Sequence, residues 1–180
     1  MTMITRVLKE QLTSRFGKGK VIIIIGPRQV GKSTLLRELQ KEMNQQTLFI
    51  NCDEPDMRLM LENVTSTQLK SLIGNNTLVM IDEAQKVPNI GETLKLMADN
   101  IEGIQIVATG SSAFELLNKT NEPLTGRKFE FNLYPISTNE LVLHHGKIEE
   151  QRLLERRMIY GLYPEIVNNP GNEQEYLIEL

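Results

Sequence analysis

A run of five β-branched residues passes directly into a glycine-rich turn and then an amphipathic segment between Val21 and Leu36, VIIIIGPRQVGKSTLL. The β-branched run predicts a strand buried on both faces, as strands of parallel sheets are. The residues GPRQVGKS match the pattern G-x-x-x-x-G-K-[S/T], in which a loop between a strand and a helix binds phosphate through its backbone N–H groups. The stretch therefore predicts a parallel α/β sheet with a phosphate-binding loop (P-loop) at a strand's carboxyl end.

Each position of this loop has its own chemical task. Gly26 and Gly31 permit a close backbone approach that side chains would prevent, and the loop N–H groups, with the positive end of the following helix, attract phosphate oxygens. We expect the Lys32 ammonium to contact the β- and γ-phosphates of ATP and the Ser33 hydroxyl to ligate Mg²⁺. A simple turn between strand and helix would require neither residue. The predicted nucleotide-binding residues of the loop are Gly26, Pro27, Arg28, Gln29, Val30, Gly31, Lys32, Ser33 and Thr34.

A second apolar run, TLVMID from Thr77 to Asp82, is followed directly by a further acid, Glu83. The run predicts a strand, and ligands of open α/β sheets bind at the carboxyl ends of strands. We therefore expect Asp82 to hold Mg²⁺, directly or through water, and Glu83 to orient or deprotonate a water that attacks the γ-phosphate. The alternative interpretation, acids that only cap a following helix, is disfavoured by the position 50 residues after Lys32 with a strand between.

A further predicted strand, IQIVAT from Ile104 to Thr109, is followed by the residues GSS. If this strand lies beside the first strand, Thr109 or Ser111 faces the γ-phosphate, and a small polar group there could sense whether that phosphate is present. The alternative interpretation is that both hydroxyls only stabilise the loop or a helix cap. Ser112 with Glu115 has the spacing of a capping box, which is the role we expect for that pair.

Helical patterns alternate with strands over the first 145 residues, which is typical of a parallel sheet covered on both faces. Beyond that point only helical patterns follow, and the last one stops in mid-pattern, so we expect residues 146–180 to begin a further domain of a longer chain. The other predicted elements are an N-terminal helix with Met3, Ile4, Val7, Leu8 and Leu12 on one face, strands at Thr47–Asn51 and Lys128–Leu133, and helices opened by capping boxes at Thr65–Gln68 and Ser137–Glu140.

The composition of the 180-residue chain limits its partners and its location. A net charge of −3 gives no chain-wide basic field for nucleic acid. The single cysteine, Cys52, excludes an internal disulfide and fits a reducing compartment, and no apolar run approaches the roughly 20 residues of a membrane helix. We expect a soluble, cytoplasmic, nucleotide-binding protein without membrane contact. A local contact with nucleic acid is left open, with no feature that supports it.

Six segments occur in the order found in a family of prokaryotic AAA-type ATPases, on the AAA+ side of the P-loop superfamily: GPRQVGKSTLL, FINCDEP, VMIDEAQKVPNI, IVATGSSAFELL, LTGRKFEFNLYPIS and YGLYPEIV. The chain resembles this family over roughly residues 5–170. The resemblance implies a P-loop NTPase αβα sandwich at residues 1–145, with a parallel five-stranded sheet of order 5-1-4-3-2. It also implies ATP and Mg²⁺ as cofactors and a C-terminal domain, mostly absent from this chain, as a partner.

The segment LTGR places Arg127 just before the last predicted strand. In AAA+ proteins this region can carry an arginine directed at a neighbour's nucleotide, so the resemblance implies that Arg127 acts in trans within a homo-oligomer. Because Arg127 lies at the start of a strand, we do not expect it to serve its own site. The alternative is a structural ion pair with an acid such as Glu130. Arg28, inside the P-loop, is either exposed or close to the γ-phosphate.

Two functions fit these features. The first is Mg²⁺-dependent ATP hydrolysis, with Lys32, Glu83 and Arg127 as the catalytic residues. The second is an ATP-dependent regulatory switch or binding module with negligible turnover, in which the γ-phosphate sets how the C-terminal part absent from this chain docks. Such a module would act on a protein or nucleic-acid partner. A small-molecule kinase is disfavoured because no arginine-rich lid follows the fourth predicted strand.

Overall fold

The computed structural model describes residues 3–111, 116, 119, 120 and 122–179. The strands within these ranges are β1 (Val21–Ile25), β2 (Thr47–Asn51), β3 (Leu78–Asp82), β4 (Gln105–Gly110) and β5 (Lys128–Asn132). The helices, numbered over the same ranges, are α1 (Leu8–Thr13), α2 (Lys32–Met43), α3 (Pro55–Leu59), α4 (Ser66–Ile73), α5 (Ile90–Asn100), α6 (Thr138–His145), α7 (Lys147–Arg152), α8 (Leu154–Tyr160), α9 (Pro164–Asn168) and α10 (Glu173–Glu179). A short 3₁₀ turn, Ala84–Lys86, follows β3.

The five strands form one parallel sheet in the spatial order β2-β3-β4-β1-β5. This is the predicted order 5-1-4-3-2 counted from the opposite edge, so the predicted P-loop αβα fold is confirmed. As expected, β4 lies beside β1, with Thr109 paired to Ile24. Because all strands run in one direction, the residues that follow β1, β3 and β4 meet at one edge of the sheet, the edge formed by the carboxyl ends of the strands.

Helices cover both faces of the sheet, and β1 and β3 are therefore buried along their whole length. Ile22 and Ile24 pack on one face with Leu36 and other apolar residues of α2. Ile23 and Ile25 pack on the other face, in a cluster that includes apolar residues of α4 and α5. Alternate side chains of one strand thus enter two separate clusters, which explains why the β-branched run is apolar at every position.

The N-terminal helix is shorter than predicted. The periodicity predicts a helical face that includes Met3 and Ile4, but α1 begins only at Leu8, and residues 3–6 are not helical. Ile4 is buried in a small cluster with Ile136, whereas Met3 is 52% exposed. These contacts with a distant part of the chain override the local helical pattern, since propensity is a weak guide where tertiary contacts compete.

Two of the three predicted capping boxes are present. Thr65 and Gln68 cap α4, and Ser137 and Glu140 cap α6, each through reciprocal side-chain and backbone bonds. The predicted box at residues 112–115 lies outside the described residues. The box at the start of α6 contributes to the site, because Glu140 also reaches the N-terminal segment.

The short helices α7 to α10 follow the sheet, in agreement with the helical patterns of the sequence. Pro164, the first residue of α9, and Tyr176 of α10 lie at the edge of the sheet where the P-loop emerges. None of the helices in the described ranges is long and apolar enough to cross a membrane.

Candidate functional site

The P-loop connects β1 to α2 through two residues with left-handed backbones, Gln29 (φ 59°) and Gly31 (φ 97°). Gly26 is required for a reason that the motif alone does not give. A Cβ atom at Gly26 would lie 2.3 Å from the carbonyl oxygen of Leu133, the residue after β5. The first glycine of the loop therefore lets the edge strand pack against the phosphate-binding segment.

Lys32, the first residue of α2, turns its buried side chain back into the loop. Its Nζ donates hydrogen bonds to the carbonyl oxygens of Gly26 (3.0 Å) and Pro27 (2.8 Å) and lies 3.8 Å from Glu83 Oε1. Burial lowers the pKa of Lys32 below its ordinary 10.5, although the carboxylates of Glu83 and Asp82 oppose the shift. A cation thus lies in the hollow of the loop, next to the positive end of a helix.

Asp82 and Glu83 end β3 beside this cation, and Thr109 of β4 joins them. The Thr109 hydroxyl donates to Asp82 Oδ1 and accepts from the backbone N–H of Glu83 at 3.2 Å. Glu83 has a left-handed backbone with φ 51°. Such a conformation of a non-glycine residue costs about 1–3 kcal/mol and is found mainly at functional sites, where the surrounding structure enforces it.

Gln85 belongs to the site, although the sequence analysis gave it no role. Its Nε2 donates to Glu83 Oε2 at 2.6 Å and to Ser111 Oγ at 2.8 Å, and its Oε1 is buried without a hydrogen-bond partner among the described residues. Gln85 therefore links the end of β4 to the carboxylate of Glu83. The only sequence signal was its place two residues after Glu83, beside the acidic pair.

The structure brings most of the predicted site residues together. Lys32, Asp82, Glu83, Thr109 and Ser111 lie at one edge of the sheet and are connected by the contacts described above. Thr109 is fully buried and contacts the acids, so its predicted sensing of phosphate would act through them. The loop residues that line the adjoining cavity are Arg28, Gln29, Gly31, Lys32, Ser33 and Thr34. Arg28, Gln29, Ser33 and Thr34 are exposed, whereas Lys32 is buried.

Arg127 is separated from this edge. It precedes β5 at the opposite end of the sheet, and its Nε forms an ion pair of 2.8 Å with Asp99 Oδ1. The suggested pairing with Glu130 is wrong, because Glu130 pairs with Lys128. The expectation that Arg127 does not serve its own site agrees with this position.

The cavity beside the P-loop has a volume of about 910 Å³, which exceeds what phosphates alone would require. Part of its lining is supplied by segments that the sequence analysis did not connect with the site. Ile4 and Ile136 line it from the N-terminal segment and the loop before α6, and Pro164 and Tyr176 line it from the C-terminal helices. The cavity is therefore lined both by the polar, cationic residues of the P-loop and by apolar side chains from these other segments.

The donor atoms at the polar end fit a triphosphate and a magnesium ion. Ser33 offers a hydroxyl, and the bond from Thr109 leaves the second carboxylate oxygen of Asp82 without a hydrogen bond among the described residues. Hydroxyl and carboxylate oxygens are the ligands that Mg²⁺ prefers. The Lys32 ammonium and the N-terminus of α2 supply the positive charge that phosphate oxygens attract.

The αβα fold and the loop between β1 and α2 define the class of the protein as a P-loop NTPase fold. The family described as AAA domain matches residues 18–142, well over half of the chain, and the chain belongs to that family. Membership in this family supports nucleotide binding of the ATPase kind at the site.

Three known proteins illustrate the relationship. An uncharacterized protein of Mycobacterium bovis is 30% identical over 116 residues, which are 61% of this chain and 24% of that protein, so the chain spans about a quarter of this relative's length. The Walker-type ATPase of Pyrococcus abyssi has a similar structure (TM-score 0.66, 16% identity, 98% of this chain and 72% of that chain). The structure of Drosophila ORC bound to DNA is also similar (TM-score 0.53, 15% identity, 73% of this chain and 91% of that chain). At these identities the structural likeness shows a shared fold alone.

Proposed function

We propose that this protein binds ATP with Mg²⁺ and hydrolyses it. The observation that carries the proposal is the buried Lys32 ammonium in the hollow of the P-loop, 3.8 Å from the Glu83 carboxylate. Such a pair combines a cation for the β- and γ-phosphates with a group that accepts a proton, which are the two needs of ATP hydrolysis.

Phosphate binding requires Lys32 to exchange partners. In the present arrangement its Nζ donates to the carbonyl oxygens of Gly26 and Pro27. Phosphate oxygens are stronger acceptors than carbonyl oxygens because they are charged, so the ammonium would turn to them. The exposed Arg28 lines the same cavity and would add a second positive charge for the bound phosphates.

Ser33, Asp82 and Glu83 would have separate roles in binding the metal and activating water. Ser33 and Asp82 would hold Mg²⁺, which supplies charge neutralisation at the phosphates when bound. Glu83 would accept a proton from the attacking water, with its carboxylate oriented by the bond from Gln85. Thr109 would hold the Asp82 carboxylate and the backbone of Glu83 in place through the two hydrogen bonds of its hydroxyl.

Release of phosphate from ATP by the wild-type protein tests this proposal. We expect release with Mg²⁺ that stops on chelation by EDTA, together with saturable ATP binding. Absence of saturable binding at millimolar ATP would contradict the proposal. ATP binding without any release would favour the switch instead.

One observation favours the second candidate, an ATP-dependent switch with negligible turnover. Both oxygens of Glu83 are engaged, since Gln85 donates to Oε2 and Lys32 faces Oε1. A carboxylate held in this way is less available to a water molecule. The hydrolytic proposal requires that Lys32 turn to phosphate and release Oε1, and turnover measures whether it does.

Arg127→Ala tests whether Arg127 acts in trans. Its exposed side chain lies at the opposite end of the sheet from its own P-loop and forms an exposed ion pair with Asp99. If Arg127 completes the site of a neighbour, turnover per subunit rises with protein concentration in the wild type, and the variant loses this rise, by up to about 10³-fold, without a change in ATP affinity. Equal, concentration-independent rates in both proteins would show a structural ion pair only.

A further inference from the structure

A buried arginine, Arg6, connects three segments next to the P-loop. It is 7% exposed and lies just before α1. Its Nη1 donates to the carbonyl oxygen of Val30 at 3.0 Å, its Nε to Glu140 Oε1 at 3.1 Å, and its Nη2 to the carbonyl oxygen of Tyr134. One side chain thus binds the P-loop, the start of α6 and the segment after β5.

The partner of Arg6 is itself held in place. Glu140 is buried and accepts further hydrogen bonds from the backbone N–H groups of Val7 (2.9 Å) and Ser137 (2.7 Å). Burial raises the pKa of Glu140, but these N–H groups and the Arg6 guanidinium outweigh it, so the pKa lies below its ordinary 4.5. Arg6 is therefore anchored by a charged, fixed carboxylate on the side that faces away from the loop.

The bond to Val30 has a consequence for the next residue. The carbonyl of Val30 and the N–H of Gly31 belong to one trans peptide group, so they point in opposite directions. Arg6 holds the carbonyl on its own side, and the Gly31 N–H is directed away from it. Gly31 lines the cavity, as does Arg6, and within the described part of the chain the Gly31 N–H donates to no protein group.

We propose that Arg6 is a positioning residue for phosphate binding. By holding the carbonyl of Val30, it fixes the peptide plane in which the Gly31 N–H faces the hollow occupied by phosphate oxygens. Glu140 ties this plane to the N-terminus of α6. The inference rests on the proposed function. It adds a residue that lies outside the P-loop pattern, 24 positions before Val30, whose carbonyl it binds.

Two variants of Arg6 separate its positioning of the Val30 carbonyl from the effect of its positive charge. Arg6→Gln removes the charge and most of the hydrogen bonds, and Arg6→Lys keeps the charge but cannot reach three acceptors in a planar fork. We expect both variants to bind ATP and inorganic triphosphate about tenfold more weakly, by the same factor for both ligands. The matched control is Lys9→Gln, which removes an N-terminal ion pair with Glu42 that does not touch the loop. It should retain wild-type affinity.

The measurement is calorimetric titration at a temperature where circular dichroism shows each variant folded. The amide signal of Gly31 in ¹⁵N-glycine-labelled protein supplies a second readout, and we expect it to shift in both Arg6 variants and not in Lys9→Gln. If Arg6→Gln does not fold, Arg6→Lys alone decides, because its charge compensates Glu140.

Wild-type affinity for triphosphate in Arg6→Lys, with an unshifted Gly31 amide, would overturn the inference and leave Arg6 a structural ion pair. A weaker affinity for ATP with unchanged affinity for triphosphate would also overturn it, because the effect would then concern the nucleoside. Failure of the wild-type protein to bind either ligand is a different result. It would contradict the proposed function and the present inference with it.

Discussion

Lys32→Ala is expected to weaken ATP binding by at least about 100-fold. Loss of charge-assisted hydrogen bonds to phosphate costs about 1.5–3 kcal/mol each, and about 2.7 kcal/mol corresponds to a factor of 100. Lys32 is buried in the hollow of the loop, and the other lysine that lines the adjoining cavity, Lys86, pairs with Asp53. Equilibrium titration with ATP measures the loss.

The matched control for this variant is Lys41→Ala. Lys41 lies in the last turn of the same helix, α2, so the substitution removes the same charge from its exposed far end. Thermal unfolding of both variants separates lost binding from lost structure, because Lys32→Ala also leaves two loop carbonyls without their donor. ATP affinity within about twofold of wild type in a folded Lys32→Ala protein would show that Lys32 does not bind the phosphates.

Glu83→Gln is expected to reduce phosphate release about 10²–10³-fold while ATP affinity stays close to that of wild type. A general base contributes about this factor, and an amide cannot accept the proton. Glutamine keeps the length of the side chain and an oxygen for the bond from Gln85. Steady-state phosphate release at saturating ATP measures the effect, so that binding does not enter the comparison.

Glu92→Gln provides the control for Glu83→Gln. Glu92 is exposed in the first turn of α5, and its one ion pair among the described residues is with Lys95, so its charge is removed without contact to the site. Turnover in Glu83→Gln equal to that of this control would exclude Glu83 as the base. Loss of ATP affinity in Glu83→Gln would point instead to a role of the carboxylate in holding Lys32 or the metal.

The sheet and the center of the site could be predicted because their signals are local. The β-branched run of β1 and the glycine, lysine and serine after it lie in one short stretch. The apolar run that ends at Asp82 marks β3 in the same way. Since strands of a parallel sheet share one direction, prediction of β1, β3 and β4 suffices to bring Lys32, Glu83 and Thr109 to one edge.

The features that escaped prediction depend on pairs of residues far apart in the chain. Arg6 and Glu140 are separated by 134 positions, and no periodicity marks either residue as a partner of the other. The same contacts decide that residues 3–6 are not helical. Asp99 was not foreseen as the partner of Arg127 because α5 approaches the start of β5 only in the folded chain.

Gln85 escaped for a different reason. Its type and position are compatible with an exposed turn, and only the fold shows that it is 5% exposed and bonded to Glu83. Glutamine at this place becomes informative once β4 is known to end beside it, because Ser111 then supplies the second acceptor. Sequence patterns identify the residues that carry charge more readily than those that orient them.

A crystal structure with Mg²⁺ and a non-hydrolysable ATP analogue would show whether the P-loop of this protein holds ATP in the proposed way. We expect the triphosphate in the hollow of the P-loop, with Lys32 Nζ moved from the Gly26 and Pro27 carbonyls to the phosphates. We also expect the metal beside Ser33 and Asp82, and a water between the γ-phosphate and Glu83. Nucleotide bound elsewhere, or a loop that stays closed on Lys32 while the analogue is saturating, would contradict the proposal.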